Sequence, residues 1–208
     1  MIITRWEQGT EDWLTAKIGV LSGTRIKKII TPSKLQLSSS YADTILLLID
    51  ENVTGLSSET FRGNAATERG NELEPYAKKA YTDKTGIEIK DFGLCLSDKN
   101  DLHGCSPDGF TPDFRGGVEI KCPGYIHLKY INDNIIPSEY ILQITNYFVV
   151  NEKLEWLDFV SYRPEFIHNP IFIKRVTRED LHEQITALES ALNTFFSEYK
   201  KQLDKFLF

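Results

Sequence analysis

His103-Gly-Cys-Ser-Pro-Asp108-Gly-Phe-Thr-Pro-Asp-Phe-Arg-Gly-Gly-Val-Glu119-Ile-Lys121-Cys122 is the stretch on which the fold turns. It places a carboxylate at Asp108, then a turn rich in Gly and Pro, then Glu119-Ile120-Lys121. In an extended strand alternate side chains share a face, so Glu119 and Lys121 point one way and Ile120 points into a core. With Asp108 on or beside the neighbouring strand of a hairpin, two carboxylates and an ammonium converge. That is the minimum apparatus for divalent-metal phosphodiester hydrolysis. The same residues also suit a blander arrangement, with Asp108 a turn residue and Glu119 and Lys121 a surface pair on an edge strand.

Working outward, the order of elements indicates an α/β domain. Thr10-Glu11-Asp12-Trp13 has the form of a capped helix start and Gly19 of its stop. Ser22-Gly23-Thr24 opens a short basic helix that Thr31-Pro32 ends, and 33–40 is a polar loop. Ser40-Tyr41-Ala42-Asp43 reads as a capping box for a helix to about Val53. A loop around 55–63 precedes a helix from about Ala65 to Thr85, interrupted at Gly70 and Pro75 and stopped by Gly86. Strands are expected over Ile87–Phe92, Gly93–Ser97, Leu102–Ser106, Val118–Cys122, Leu154–Tyr162 and Ile171–Val176. Helices are expected at about Tyr125–Asn132 and Pro137–Val150. An amphipathic helix from about Arg178 to Leu207 closes the chain. The result is a mixed β-sheet flanked by α-helices: a single domain over 1–208 with N-terminal helices about 10–54, a core about 65–176 and a C-terminal helix about 178–207.

Composition narrows the class. The chain is 208 residues, 41% hydrophobic and 26% charged, an ordinary globular balance that allows a substantial core. The aliphatic run Ile45–Ile49 is too short to span a membrane, and no apolar region follows Met1–Glu7, so a cytoplasmic protein is expected. Three cysteines without CxxC spacing argue for packing in the strands rather than zinc, and are too few for a four-cysteine iron–sulfur site. A net charge of −6 argues against a general nucleic-acid coat protein, yet leaves room for a nuclease whose basic residues are local. His103 and His127 lack metal-type spacing and are assigned no role.

Further blocks carry a resemblance. Ser-Pro-Asp108-Gly-Phe and Val-Glu119-Ile-Lys121-Cys-Pro resemble the PD-(D/E)xK motif of the phage lambda exonuclease (YqaJ-like) family. Glu7–Trp13 with Gly19–Thr24 resembles its N-terminal motif, Arg69–Glu74 its G-x-x-x-E helix, and Tyr140–Ile144 its Tyr-x-x-Gln helix. The resemblance implies a restriction-endonuclease-like core. Asp108, Glu119, Glu74 and the Ile120 carbonyl become ligands for Mg²⁺ (two ions, with Mn²⁺ able to substitute), Lys121 the catalytic lysine, and Gln143 a support on the nucleophile side.

It further implies a 5′→3′ exonuclease on duplex DNA ends, with the 5′-phosphate held by Lys17, Ser22, Thr24 and Ser106. Arg25 and Tyr140 join the DNA contacts; Trp13 either stacks at the duplex end or packs in the core. Position 17 is lysine where the best-known member has arginine, and a lysine lacks the bidentate fork. A homotrimeric ring, a single-strand annealing recombinase as partner, and the cytoplasm of a bacterial host (if phage or prophage encoded) are implied likewise. The alternatives are an endonuclease on the same core and an inactive DNA-end-binding protein.

Overall fold

Two mixed sheets, joined by the residues that precede Gly109, organise the chain. The computed structural model describes residues 1–58 and 65–207, without the side chains of Thr24 and Ala66. The larger sheet runs β5 (Gly109–Phe110), β6 (Gly116–Lys121), β7 (Trp156–Tyr162), β8 (Ile171–Thr177) in spatial order. β6 is antiparallel to β5 and parallel to β7, and β7 is antiparallel to β8. The parallel step needs a crossover, supplied by α4 (Ile126–Asp133) and α5 (Ser138–Val150). The smaller sheet has the order β1 (Ile2–Ile3), β3 (Cys95–Leu96), β4 (His103–Cys105), β2 (Leu21–Ser22). Ser106-Pro107-Asp108 therefore forms the junction between the sheets.

β6 is buried on both faces because helices cover both. Val118 and Ile120 pack with Ala77 and Tyr81 of α3 (Ala65–Thr85) and with Val160. Phe159, Leu157 and Phe110 belong to the larger core with Ile144, Tyr147 and Phe148 of α5. The period of two thus sends Glu119 toward α5 and Ile120 toward α3, as the strand pattern predicts. Gly116 begins β6 because a Cβ there would stand 2.1 Å from the Trp156 ring. The cysteines are buried and free, Cys95 and Cys105 in facing registers of β3 and β4.

Local signals hold at several termini. Thr10 accepts a hydrogen bond from the Trp13 amide and caps α1 (Glu11–Ala16). Gly19 and Gly86 take positive φ at helix ends. The basic helix after Ser22 is a 3-10 helix, Gly23–Lys28.

Other expectations need correction. Ser40 sits at φ −86°, ψ 3°, not extended, so its side chain makes no cap and α2 (Tyr41–Thr54) starts without a capping box. α3 runs unbroken through Gly70 and Pro75. Residues 87–92 form one bridge, Lys90 to Phe110, because β5 is too short to offer a longer edge. α6 spans His182–Leu207 rather than starting at 178, since Arg178 turns back to donate to the carbonyls of Phe148, Asn151 and Leu154 at 2.9 Å. α6 buries Ile185, Leu188, Leu192, Phe195 and Tyr199, whereas Phe206 is exposed. Of the loop expected around 55–63, residues 59–63 lie outside the described residues. Among the described residues no helix is long and apolar enough to cross a membrane.

Candidate active site

The β5–β6 hairpin register, Gly109 to Val118, puts Asp108 beside Glu119. Oδ2 of Asp108 accepts a 2.6 Å hydrogen bond from the Ile120 amide, which fixes the carboxylate over the middle of the triplet. Glu119 is fully buried and pairs with the Lys121 ammonium next to it on the same face. α5 completes its surroundings: Gln143 Nε2 donates to Oε1 at 2.8 Å and the Tyr147 hydroxyl to Oε2 at 2.5 Å. Lys121 Nζ also lies 5.3 Å from the Tyr140 ring.

A cleft of about 470 Å³ opens over these residues, lined by Asp108, Ile120, Lys121 and Tyr140 from one side and Glu74 and Asn71 of α3 from the other. Glu74 pairs with Lys78 at 2.7 Å, and Lys78 reaches Asp91 at 2.5 Å. Burial, then the charge of Glu119, raises the Asp108 carboxyl to about 7 despite Lys121 and the Ile120 amide. Burial, then the charge of Asp108, raises Glu74. Burial opposes a charged Lys121, but Glu119 and Asp108 outweigh it and push its pKa up, so it stays an ammonium.

Among the described residues, no three His, Cys, Asp or Glu side chains already form a metal cage. Glu119 is turned to Lys121, Gln143 and Tyr147 instead. The donor set still fits a hard cation: oxygen donors facing one cleft, two of them raised in pKa first by burial and then by a neighbouring carboxylate, Glu119 beside Asp108 and Asp108 beside Glu74.

A second cluster adjoins the first. Trp13 Nε1 donates to Ser106 Oγ at 3.2 Å, and Lys17 Nζ lies 3.9 Å over the Trp13 ring. Trp13 is half-buried and α1 buries none of its residues, so Trp13 is not a core residue. Ser22 pairs with Gly104 in the parallel β2–β4 register, two residues before Ser106. The Thr24 side chain lies outside the described ones. The Arg25 guanidinium grips Glu51 of α2 with hydrogen bonds of 2.7 and 2.8 Å, and Glu51 is wholly buried. Burial opposes ionisation of Glu51, yet Arg25 and the amides of Gly19 and Ser58 hold its pKa low.

Sequence reasoning missed Tyr147, Lys78 and Glu51. Tyr147 follows Gln143 by four residues and Lys78 follows Glu74 by four, a helical spacing that would have pointed to both. No local signal marks Glu51.

Comparison with known proteins follows the same lines. An alkaline exonuclease from Laribacter hongkongensis is 30% identical and superposes with a TM-score of 0.80, over 95% of this chain and 96% of that one. Its complex with dAMP matches over the same shares with a TM-score of 0.79. A phage-related exonuclease from Haemophilus somnus 129PT, 16% identical with a TM-score of 0.61 over 90% of this chain and 96% of that one, shares the fold. The fold is the mixed α/β architecture of the PD-(D/E)xK type. An uncharacterized protein of Acanthamoeba polyphaga mimivirus is 26% identical over 172 residues, which are 76% of this chain. The match spans 30% of that relative's length. The model of the YqaJ-like viral recombinase domain matches residues 12–153, and with that span and the likeness to the Laribacter enzyme the chain belongs to this family.

Proposed function

We propose that the protein is a divalent-metal-dependent exonuclease that removes nucleotides 5′→3′ from one strand of linear duplex DNA, starting at a 5′-phosphorylated end. One observation carries the reading: Asp108 and Glu74 face one cleft with raised pKa values, above a fully buried Glu119 paired with Lys121. Carboxylates that resist one another's ionisation gain most from a cation set among them.

Asp108, Glu119, Glu74 and the Ile120 carbonyl would hold Mg²⁺, as two ions, with Mn²⁺ a workable substitute. When bound, the metal supplies Lewis acidity and a water of lowered pKa. Gln143 keeps Glu119 oriented through its amide. Lys121, an ammonium at the cleft, stabilises the negative charge that grows on the phosphate as it is attacked.

Lys17, Ser22, Thr24 and Ser106 hold the terminal phosphate, with Trp13 and Tyr140 against the end of the duplex. The contact of Trp13 with both Lys17 and Ser106 supports that grouping. Arg25 acts in the fold, through Glu51, rather than on DNA. The dAMP complex of the Laribacter exonuclease supports nucleotide binding, and the recombinase family supports a 3′ overhang passed to a single-strand annealing partner. Residues 1–208 work as one nuclease unit within a homotrimeric ring, in the cytoplasm, that of a bacterial host if the protein is phage or prophage encoded.

The test compares 5′-phosphorylated and 5′-hydroxyl linear duplexes, with Mg²⁺ or with EDTA, alongside covalently closed circles. We expect metal-dependent shortening of the 5′-phosphorylated strand, with circles intact. Nicked circles would show an endonuclease, and binding of ends without shortening would show an inactive end-binding protein.

A further inference from the structure

We propose that Tyr147 is a positioning residue, whose hydroxyl holds the Glu119 carboxylate in its working orientation. This assignment rests on the nuclease reading above.

Tyr147 lies one helical turn beyond Gln143 on α5, so both side chains descend on β6 from the same helical face. Its side chain is fully buried. The hydroxyl stands 2.5 Å from Glu119 Oε2 and 3.2 Å from the Ser106 carbonyl, and Gln143 Nε2 donates to it at 3.0 Å. A phenol has one proton to give. The carboxylate is both the nearer and the charged acceptor, so the proton goes there. Glu119 is then held at both oxygens, Oε2 by Tyr147 and Oε1 by Gln143 and Lys121.

Packing alone does not account for the oxygen atom. A phenylalanine would fill the same volume, as the neighbouring Phe148 does in the same core. A buried hydroxyl costs free energy unless it is bonded, so its place against a buried carboxylate marks a specific role.

The opposite face of the sheet provides a matched control. Tyr81 donates its hydroxyl to the buried Asp158 at 2.8 Å, an equivalent phenol–carboxylate pair outside the cleft. The experiment therefore compares wild type, Tyr147→Phe and Tyr81→Phe. Mg²⁺ and Mn²⁺ binding to the protein alone is measured by calorimetry, Tm by thermal unfolding, and kcat and KM on 5′-phosphorylated linear duplex.

For Tyr147→Phe we expect a metal half-saturation raised about 10–100-fold, the loss typical of an outer-shell partner of a ligand. The fall in DNA shortening should appear in kcat, with KM for DNA unchanged. Tyr81→Phe is expected to lower Tm while leaving metal half-saturation at the wild-type value. A Tyr147→Phe protein with wild-type metal binding and kcat would overturn the assignment alone. So would an equal loss of metal affinity in Tyr81→Phe, because that is what general loosening would produce. A wild-type protein that neither binds the ions nor shortens linear duplex would overturn the nuclease reading and this assignment with it.

Discussion

Asp108 stands beside Glu119 across the β5–β6 hairpin, and burial together with the Glu119 charge raises its carboxyl to about 7. A carboxyl raised in the fold means that between about pH 4 and 7 the folded chain binds more protons than the unfolded one. Its contribution to stability is fully present below the unfolded pKa and is lost as pH rises through about 7. The metal-free protein should therefore lose Tm from this group across that window. A divalent ion must displace the Asp108 proton, so its apparent affinity should climb by up to about tenfold per pH unit below 7. Calorimetry at several pH values checks this, and an affinity flat from pH 5 to 7 would contradict it.

Lys121→Ala should leave the fold intact and reduce turnover by at least roughly 10²-fold, the usual scale for loss of one preorganised electrostatic contact. Glu119→Ala should abolish turnover, since it removes a carboxylate that Gln143, Tyr147 and Lys121 all grip. Digestion of linear duplex, with far-UV circular dichroism as the fold control, measures both. Undiminished digestion by either variant would refute the site.

Glu51→Ala should cost about 3–5 kcal/mol, because it strands the Arg25 guanidinium in a buried setting. Urea unfolding reads that loss. The low pKa of Glu51 means its contribution is present above the ordinary carboxylate range and fades as pH falls through the folded value. Arg25→Ala should lower stability likewise and leave the salt dependence of DNA binding unchanged. A flatter salt slope would restore Arg25 as a phosphate contact.

At the DNA end, Lys17→Ala should bring the rates on 5′-phosphorylated and 5′-hydroxyl duplexes together. Lys17→Arg should separate them further, because a guanidinium can offer a phosphate two parallel hydrogen bonds. The ratio of the two rates is the measurement. A ratio insensitive to both substitutions would remove Lys17 from the pocket.

The chain order itself determined a good part of this protein. The alternation in Val118–Lys121 assigns Glu119 and Lys121 to one face of β6 and Ile120 to the other. Thr10, Gly19 and Gly86 mark helix ends by their own chemistry. These signals operate within a helical turn or a strand pair, so a linear reading recovers them. Where a local signal had a rival, it failed: Ser40 resembles a cap but its backbone is not extended, and Ile87–Phe92 looks like a strand but meets only the short edge of β5. The partners of the site lie far apart in sequence. Tyr147 is 28 residues from Glu119, Arg25 is 26 from Glu51, and Trp13 is 93 from Ser106. Only the tertiary structure decided those meetings, because they follow from how α5 crosses from β6 to β7 and how β2 joins β4, and a side chain's pattern along the chain carries no record of which distant element will cover it.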